Sequence, residues 1–429
     1  MKRLQMLLEN LKKLARSGFF PVFLSNVIAK ACALLGSIVL VRILPKADYG
    51  LYTGVMNSFT MLFLMNDFGC NVAMMQFRSE NHRDERLMDA YFSEPLRYGL
   101  IFSSISSLLI FFSPLFYPFK QAEIAQMTRQ LCALPLLQTL NAFVISNLRV
   151  LLENKRFSIV NFSQTFFQYL FLILSASFFG VRGTVLSNYA INLATLAVGL
   201  LLSGKRFHVD LRSHALSIKQ KKEFLKYALV SQFNNSIGAL LNLFDVFLIG
   251  IIIINNEILS SYKVASTIPQ ALMFIPNSII VFAMPYFARN LRDSKWVRSN
   301  TSKLLLGCIT INGAITLLGI LLSPLLLPIV FGNTYADSVP VFNILMVSFF
   351  FTGSFHIPAA NVIYTQHHVK TNLVITLISN AANCVFDVVL IRGYGSIGAA
   401  YATCLVSIIA SMTALVCLWN IVYRERQYD

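Results

Sequence analysis

The sequence predicts an all-α polytopic membrane protein, with about 12 transmembrane helices in two six-helix lobes around a central cavity. Three observations predict it. Hydrophobic residues make up 56% of the 429 and charged residues only 13%, more apolar surface than a soluble chain of this length can hide. Twelve stretches reach the ~20 mainly apolar residues that a helix needs to cross the hydrocarbon core. Between those stretches the basic residues fall on alternate sides.

Residues 1–18 come first. Leu4, Leu7, Leu8, Leu11 and Leu14 recur at helical spacing opposite Lys2, Arg3, Lys12, Lys13 and Arg16, the pattern of an amphipathic helix lying in the membrane interface. No apolar core of a signal peptide follows directly and no A-x-A site precedes Phe19, so the segment is expected to be retained. The N-terminal lobe, 19–203, holds spans at 19–43, 50–75, 95–118, 125–149, 158–179 and 183–203. A Lys-rich cytoplasmic interlobe loop, 204–222, precedes the C-terminal lobe, 223–423, whose spans lie at 224–254, 258–287, 303–331, 338–364, 371–391 and 396–423. A cytoplasmic tail, 424–429, ends the chain. Ile101 to Phe119 and Leu241 to Ile254 are apolar nearly all round, without the polar face that a helix in water keeps.

The two lobes repeat in register. At an offset of 210, Ile43-Leu44 meets Ile253-Ile254, Tyr52 meets Tyr262, and Ala73-Met74 meets Ala283-Met284. Before the last span of each lobe stands a G-x-x-G step, Gly180 to Gly183 and Gly395 to Gly398. Six spans is an even number, so the repeats share one orientation and are related by an axis along the membrane normal.

A net charge of +16, from 35 Lys plus Arg against 19 Asp plus Glu, would point to nucleic acid in a soluble protein. Here 27 of the 35 basic residues fall on the side of the N-terminus, seven on the other, and Lys30 lies inside the first span. The positive-inside rule therefore places both termini in the cytoplasm and assigns the charge to anionic membrane lipids, with no nucleic acid partner.

Enzyme signatures fail in turn. Gly199 to Lys205 fits G-x-x-x-x-G-K, but Arg206 stands where Ser or Thr would hold magnesium. The six His form no H-E-x-x-H, and the seven Cys lie within apolar spans with no C-x-x-C pair. Loops of at most about 20 residues leave no room for a catalytic or nucleotide-binding domain. Neither an enzyme nor a cofactor is expected, and the energy source would be a proton or sodium gradient.

Ionisable groups at membrane depth cost several kcal/mol unless they meet a partner or a wet cavity, so each is a candidate. Lys30 lies about eleven residues into the first span, roughly 16 Å deep at ~1.5 Å per residue, too far for easy snorkelling. Its roles are substrate binding or a structural ion pair. Arg42, Lys263 and Arg129 lie near the outer ends of spans, where they reach either substrate or headgroups. Asp245 in span seven and Asp387 in span eleven are coupling groups or counter-ions, and Asp67 in span two is one of these or a helix-end group. Asn234, Asn235 and Gly238 mark a polar, bendable stretch of span seven. Central basic charge in the N-terminal lobe suits an anion such as a diphosphate. Asn141, Gln164 and Gln168 are candidate sugar contacts.

The stretch Arg42-Ile43-Leu44-Pro45-Lys46-Ala47-Asp48-Tyr49-Gly50-Leu51-Tyr52 resembles the turn after the first span in polysaccharide translocases, the Wzx-type O-antigen flippases of the multidrug/oligosaccharidyl-lipid/polysaccharide (MOP) superfamily. Asn380 to Asp387, followed by Tyr394 to Thr403, resembles the signature around that family's last two spans, and Asp245 with Leu248-Ile249-Gly250 is similar to its pattern in span seven. The resemblance implies a MATE-like fold in the bacterial inner membrane. It implies translocation of an undecaprenyl-diphosphate-linked oligosaccharide, an O-antigen or other lipopolysaccharide or surface repeat unit, by alternating access. Lys30 and Arg42 would attract the diphosphate, and polysaccharide polymerase and other assembly proteins would be partners. A cation-coupled multidrug exporter of the same superfamily and a non-transporting scaffold of a glycan-assembly complex are the alternatives.

Overall fold

The computed structural model describes residues 19–116, 122–204, 216–253, 255–290, 293–366 and 368–424. The expected interfacial helix at 1–18, positions 205–215 of the interlobe loop and the tail from 425 onward lie outside these residues. Among the described residues every regular element is a helix. In chain order they are α1 (Phe19–Ile43), α2 (Lys46–Phe63), α3 (Cys70–Glu80), α4 (Glu85–Phe116), α5 (Ala122–Gln130), α6 (Leu134–Val150), α7 (Asn154–Ser203), α8 (Ile218–Ile252), α9 (Asn256–Leu272), α10 (Phe274–Arg289), α11 (Ser294–Phe331), α12 (Val339–Phe351), α13 (Ile357–Thr365) and α14 (Val369–Trp419). A 3-10 turn, Asn333–Ser338, leads into α12, and a π turn, Thr352–His356, joins α12 to α13. By internal contacts the chain divides into two compact units, Met1–Leu243 and Phe244–Asp429, the division falling inside α8.

The helices α7 and α14 are 50 and 51 residues long, which as straight rods would reach about 75 Å across a core of about 30 Å. Neither is straight. Gly180 in α7 has φ 61° and ψ −154°, and Gly395 in α14 has φ 63° and ψ −138°, a left-handed φ that a side chain with a Cβ avoids. At each of them the chain doubles back. A Cβ on Gly199 would lie 3.8 Å from Val160 Cγ1, an approach that only a hairpin closed at Gly180 allows. The two G-x-x-G steps are thus one device used twice, 215 positions apart in the sequence. Gly199 is packed inside the second arm of α7 against Val144 and Val160, so the G-x-x-x-x-G-K match is no phosphate loop.

Among the described residues six helical stretches are long and apolar enough to cross a bilayer alone, and α5 with α6, bent by 49°, form a seventh. Two of the six are the hairpins α7 and α14, and α1, the broken pair α2 and α3, and α8 complete twelve crossings. Irregular backbone at membrane depth must find its hydrogen bonds inside the protein. The α5–α6 bend does so through one side chain: the Tyr189 hydroxyl accepts from the Ala133 N–H (3.2 Å) and donates to the Gln130 carbonyl (2.8 Å).

In the first unit Cys70, Met74, Tyr91, Phe92, Phe143 and Phe224 form one core, and Val55, Phe59, Ile110, Leu131, Leu134 and Val185 another. In the second, Phe287, Val297, Val362, Ile375 and Leu418 pack together. Outside these cores the surface is itself apolar. Leu317, Leu321, Leu325 and Ile329 line one ridge of α11 at i, i+4 spacing and are each about two-thirds exposed. Such a stripe is unfavourable in water and neutral against lipid tails.

Candidate functional site

Two polar assemblies stand out, one in each unit. In the second unit Asp245 sits on the last turns of α8, inside an apolar run. Its Oδ2 accepts hydrogen bonds from the Tyr262 hydroxyl of α9 and the Thr403 hydroxyl of α14, each at 2.8 Å. Its Oδ1 accepts from Asn383 Nδ2 at 3.4 Å, and the same amide donates a short hydrogen bond to Asp387 Oδ2. Asn383 and Asp387 stand at i and i+4, which puts both on one face of the first arm of α14. Thr403 comes from the second arm, brought alongside by the fold-back at Gly395. Asp387 is fully buried and its Oδ1 has no hydrogen-bond partner among the described residues.

Two carboxylates joined through one amide, with no ion pair to Lys or Arg among the described residues, cannot both stay ionised without an added positive charge. The pair therefore calls for a proton or a bound cation. The side chains hydrogen-bonded to the pair are hydroxyls and an amide, and the carboxylate oxygens themselves are ligands that suit a hard cation. The residues fit a sodium ion or a shared proton.

In the first unit the chain breaks between α2 and α3. Phe68 has φ 47° and Gly69 φ 79°, and a cavity of about 300 Å³ opens beside the break, walled by α2, α3, α6 and α8. Asp67 lines it and also caps α3, accepting from the backbone N–H groups of Gly69 (3.1 Å) and Asn71 (3.0 Å). Of the two roles expected for Asp67, the helix-end role is the one with bonds.

The sequence-predicted residues are distributed unevenly. Asp245 and Asp387 are brought together. Lys30 is exposed midway along α1, Arg42 is exposed in the last turn of the same helix, and Arg129, at the end of α5, lies 4.1 Å over the Phe111 ring, a cation–π contact that holds it in place. None of these three lines the cavity of the first unit. Lys263 is half-buried on α9, next to Tyr262. The candidate sugar contact Asn141 is committed to helix packing, its amide donating to the Asn192 backbone carbonyl (2.9 Å) and Oδ1 (3.0 Å). Sequence reasoning passed over Asn383, Thr403 and Tyr262 as site residues. The i, i+4 pair Asn383 and Asp387 in an otherwise apolar span was the available signal.

A family model described as polysaccharide biosynthesis protein matches residues 15–291. No curated protein is similar enough in sequence to match. Among solved structures, the lipid II flippase MurJ in an inward closed conformation is 14% identical with a TM-score of 0.73, over 92% of this chain and 87% of that one. A multidrug resistance MATE family transporter of the MOP superfamily, inward-facing, is 14% identical with a TM-score of 0.74, over 93% and 96%. A MOP superfamily transporter from Pyrococcus furiosus Vc1, with a binding pocket of reversed polarity, is 15% identical with a TM-score of 0.56, over 95% and 96%. At these identities the likeness is one of fold, and the fold is that of multi-pass membrane transporters and flippases. With the family model matched over well over half of its length, the chain belongs to the polysaccharide biosynthesis protein family and has the fold of the MOP superfamily.

Proposed function

We propose that the protein is a flippase for an undecaprenyl-diphosphate-linked oligosaccharide, moving it from the cytoplasmic to the outer leaflet of a bacterial inner membrane by alternating access, with both termini cytoplasmic. The observation that carries the reading is the polysaccharide biosynthesis family match on a fold shared with a lipid II flippase. O-antigen and other lipopolysaccharide or surface repeat units are the cargo class, and a polysaccharide polymerase with its assembly proteins would take the product. Lys30 and Arg42, with Lys263 and Arg129, are the proposed contacts for the diphosphate.

Asp245 and Asp387 are the proposed coupling site. A sodium ion or proton bound there supplies the positive charge that lets the two carboxylates share a buried site. Thr403 and Tyr262 hold one oxygen of the Asp245 carboxylate and Asn383 holds the other. Because Asn383 and Thr403 sit on opposite arms of α14, a change in charge at the pair alters the hold between those arms. That gives the cation a differential affinity for two arrangements of α14, which is what coupling requires.

The test is translocation of a fluorescent polyprenyl-diphosphate oligosaccharide in proteoliposomes, with a sodium gradient, a proton gradient or neither. Gradient-driven transport that disappears in Asp387→Asn is expected. In cells, Lys30→Ala should lose surface glycan while lipid-linked precursor accumulates inside, and Lys30→Arg should restore it. Full surface glycan in Lys30→Ala at normal protein level removes the anion contact. Export of organic cations with no movement of the glycolipid would favour the multidrug alternative, and neutral effects of every charge change would favour the scaffold.

A further inference from the structure

We infer that the inner half of α8 and the break between α2 and α3 form one latch with two positions: α8 docked with the break open, or α8 released with the break closed into a continuous helix. Its part in transport rests on the flippase reading above, but the latch itself does not. All of it lies within the first unit. From Lys221 to Ser236 a single face of α8 meets the rest of that unit, at steps of three and four residues. Lys221 Nζ lies 3.2 Å from Glu94 Oε1 of α4, a carboxylate that is 8% exposed. Phe224 and Ala228 are fully buried in the core of Cys70, Met74, Tyr91 and Phe92. Further along, Gln232 Nε2 (2.5 Å) and the Ser236 hydroxyl (2.8 Å) both donate to the Leu64 carbonyl. On the opposite face Lys219, Lys222, Lys226, Val230 and Phe233 are exposed. A helix held along one face can leave without dismantling a second packed face.

The Leu64 carbonyl ties the position of α8 to the state of the break. In a continuous helix it would accept from the Phe68 N–H, four residues on. Here that N–H bonds the Met65 carbonyl (3.2 Å), so at membrane depth the Leu64 oxygen needs another donor. Gln232 and Ser236 supply two. With α8 released that oxygen is stranded unless the helix closes and Phe68 takes it back. With the helix closed, the two side chains of α8 lose their acceptor. The same carbonyl is met either by α8 or by Phe68, which makes the two positions discrete.

Opposing contributions keep both positions within reach. Phe68 has φ 47° and Gly69 φ 79°; for Phe68 this is strain of the kind held at switch regions, and closing the helix relieves it. Asp67 favours the open break, because its carboxylate caps α3 as a separate helix, accepting from the Gly69 and Asn71 N–H groups. Gly69 also lets α8 dock, since a Cβ there would run into the Ala228 carbonyl. The cavity of about 300 Å³ beside the break, lined in part by Gln232 and Ser236, gives α2 and α3 room to straighten.

The test follows alkylation of Cys70 by N-ethylmaleimide in nanodiscs, in the full-length protein with its other six cysteines replaced by alanine. Cys70 is fully buried in the core that Phe224 and Ala228 complete, so it should react only when α8 lifts away. Glu94→Gln, and Gln232→Leu combined with Ser236→Ala, each weaken the docked position and should raise the rate tenfold or more. Lys222→Gln, on the exposed face, should leave it unchanged. Gly69→Ala separates a latch from a fixed break: the added Cβ excludes docking but suits a continuous helix, so the protein should stay folded with Cys70 reactive. A Gly69→Ala protein that fails to fold, or that folds with Cys70 unreactive, overturns the inference, as does a parental rate in the Glu94 and Gln232 variants. The proteoliposome assay keeps the two readings apart. Cys70 rates that respond as expected without glycolipid translocation remove the flippase and leave the latch, and translocation with Cys70 rates unmoved by the variants does the reverse.

Discussion

The carboxylate pair shows how differently two substitutions of like residues act. Asp245→Ala takes the acceptor from three donors and strands the Tyr262 hydroxyl, since the Asn383 amide keeps Asp387 and the Thr403 hydroxyl keeps the Ala399 carbonyl. A buried donor without an acceptor costs about 1–3 kcal/mol, and Tyr262 is only 3% exposed, so thermal unfolding in detergent should occur at a clearly lower temperature. Asp387→Asn keeps the shape and removes one of two neighbouring like charges, so its melting temperature without sodium should equal or exceed that of the parent. Sodium should raise the parent's melting temperature, by the equivalent of about 2.7 kcal/mol at one hundred times the dissociation constant, and leave Asp387→Asn unmoved. A parent that responds to neither sodium nor acid has no cation site. Both acids were legible in the sequence because an ionisable group in an apolar span draws attention by its cost. Their partners were not, because neutral polar residues recur throughout these spans, and only the fold-back of α14 brings positions 383 and 403 to one carboxylate. For the same reason Asn141, which packs α6 against α7, looked like a sugar contact.

The helices themselves were largely legible. The expected first span, 19–43, coincides with α1, and the glycine steps marked the two hairpins. The breaks were not, because composition runs on unchanged through the α2–α3 break, the α5–α6 bend and the π turn at Thr352–His356, and what decides them is which side chain satisfies the freed backbone. The two glycines of each step carry different physics, and substitution separates them. A Cβ at Gly180 meets nothing within 4 Å, so Gly180→Ala should cost only the left-handed conformation, about 1–2 kcal/mol. Gly398 has an ordinary φ, but a Cβ there would run into the Leu390 carbonyl across the turn, and backbone cannot swing aside as a side chain can. Gly398→Ala should therefore be the more damaging of the two, read as a larger loss of melting temperature and a lower yield of folded protein in the membrane. Equal effects would mean that the turn at Gly395 is looser than its close packing requires.

At the scale of the whole molecule the net charge of +16 is a statement about orientation. Basic residues beside a span resist translocation, and the bias counts over short loops close to span ends, which is the kind of loop this chain has. With 27 of 35 basic residues on one side, the preference summed over twelve spans is far stronger than any single loop could give. It follows that a reporter active only outside the cytoplasm should be silent when fused after Asp429 and active when inserted at Gly332-Asn333, between α11 and the 3-10 turn before α12. The two fusions must give opposite results, because one span count and one orientation determine both. An active fusion after Asp429 with a silent one at Gly332 would invert the molecule and put Lys30's neighbours on the wrong leaflet for export. Two active or two silent fusions would mean an even number of crossings between the sites in place of three, and the equivalence of the hairpins at Gly180 and Gly395 would then lose its basis, since parallel repeats need an even number of spans in each unit.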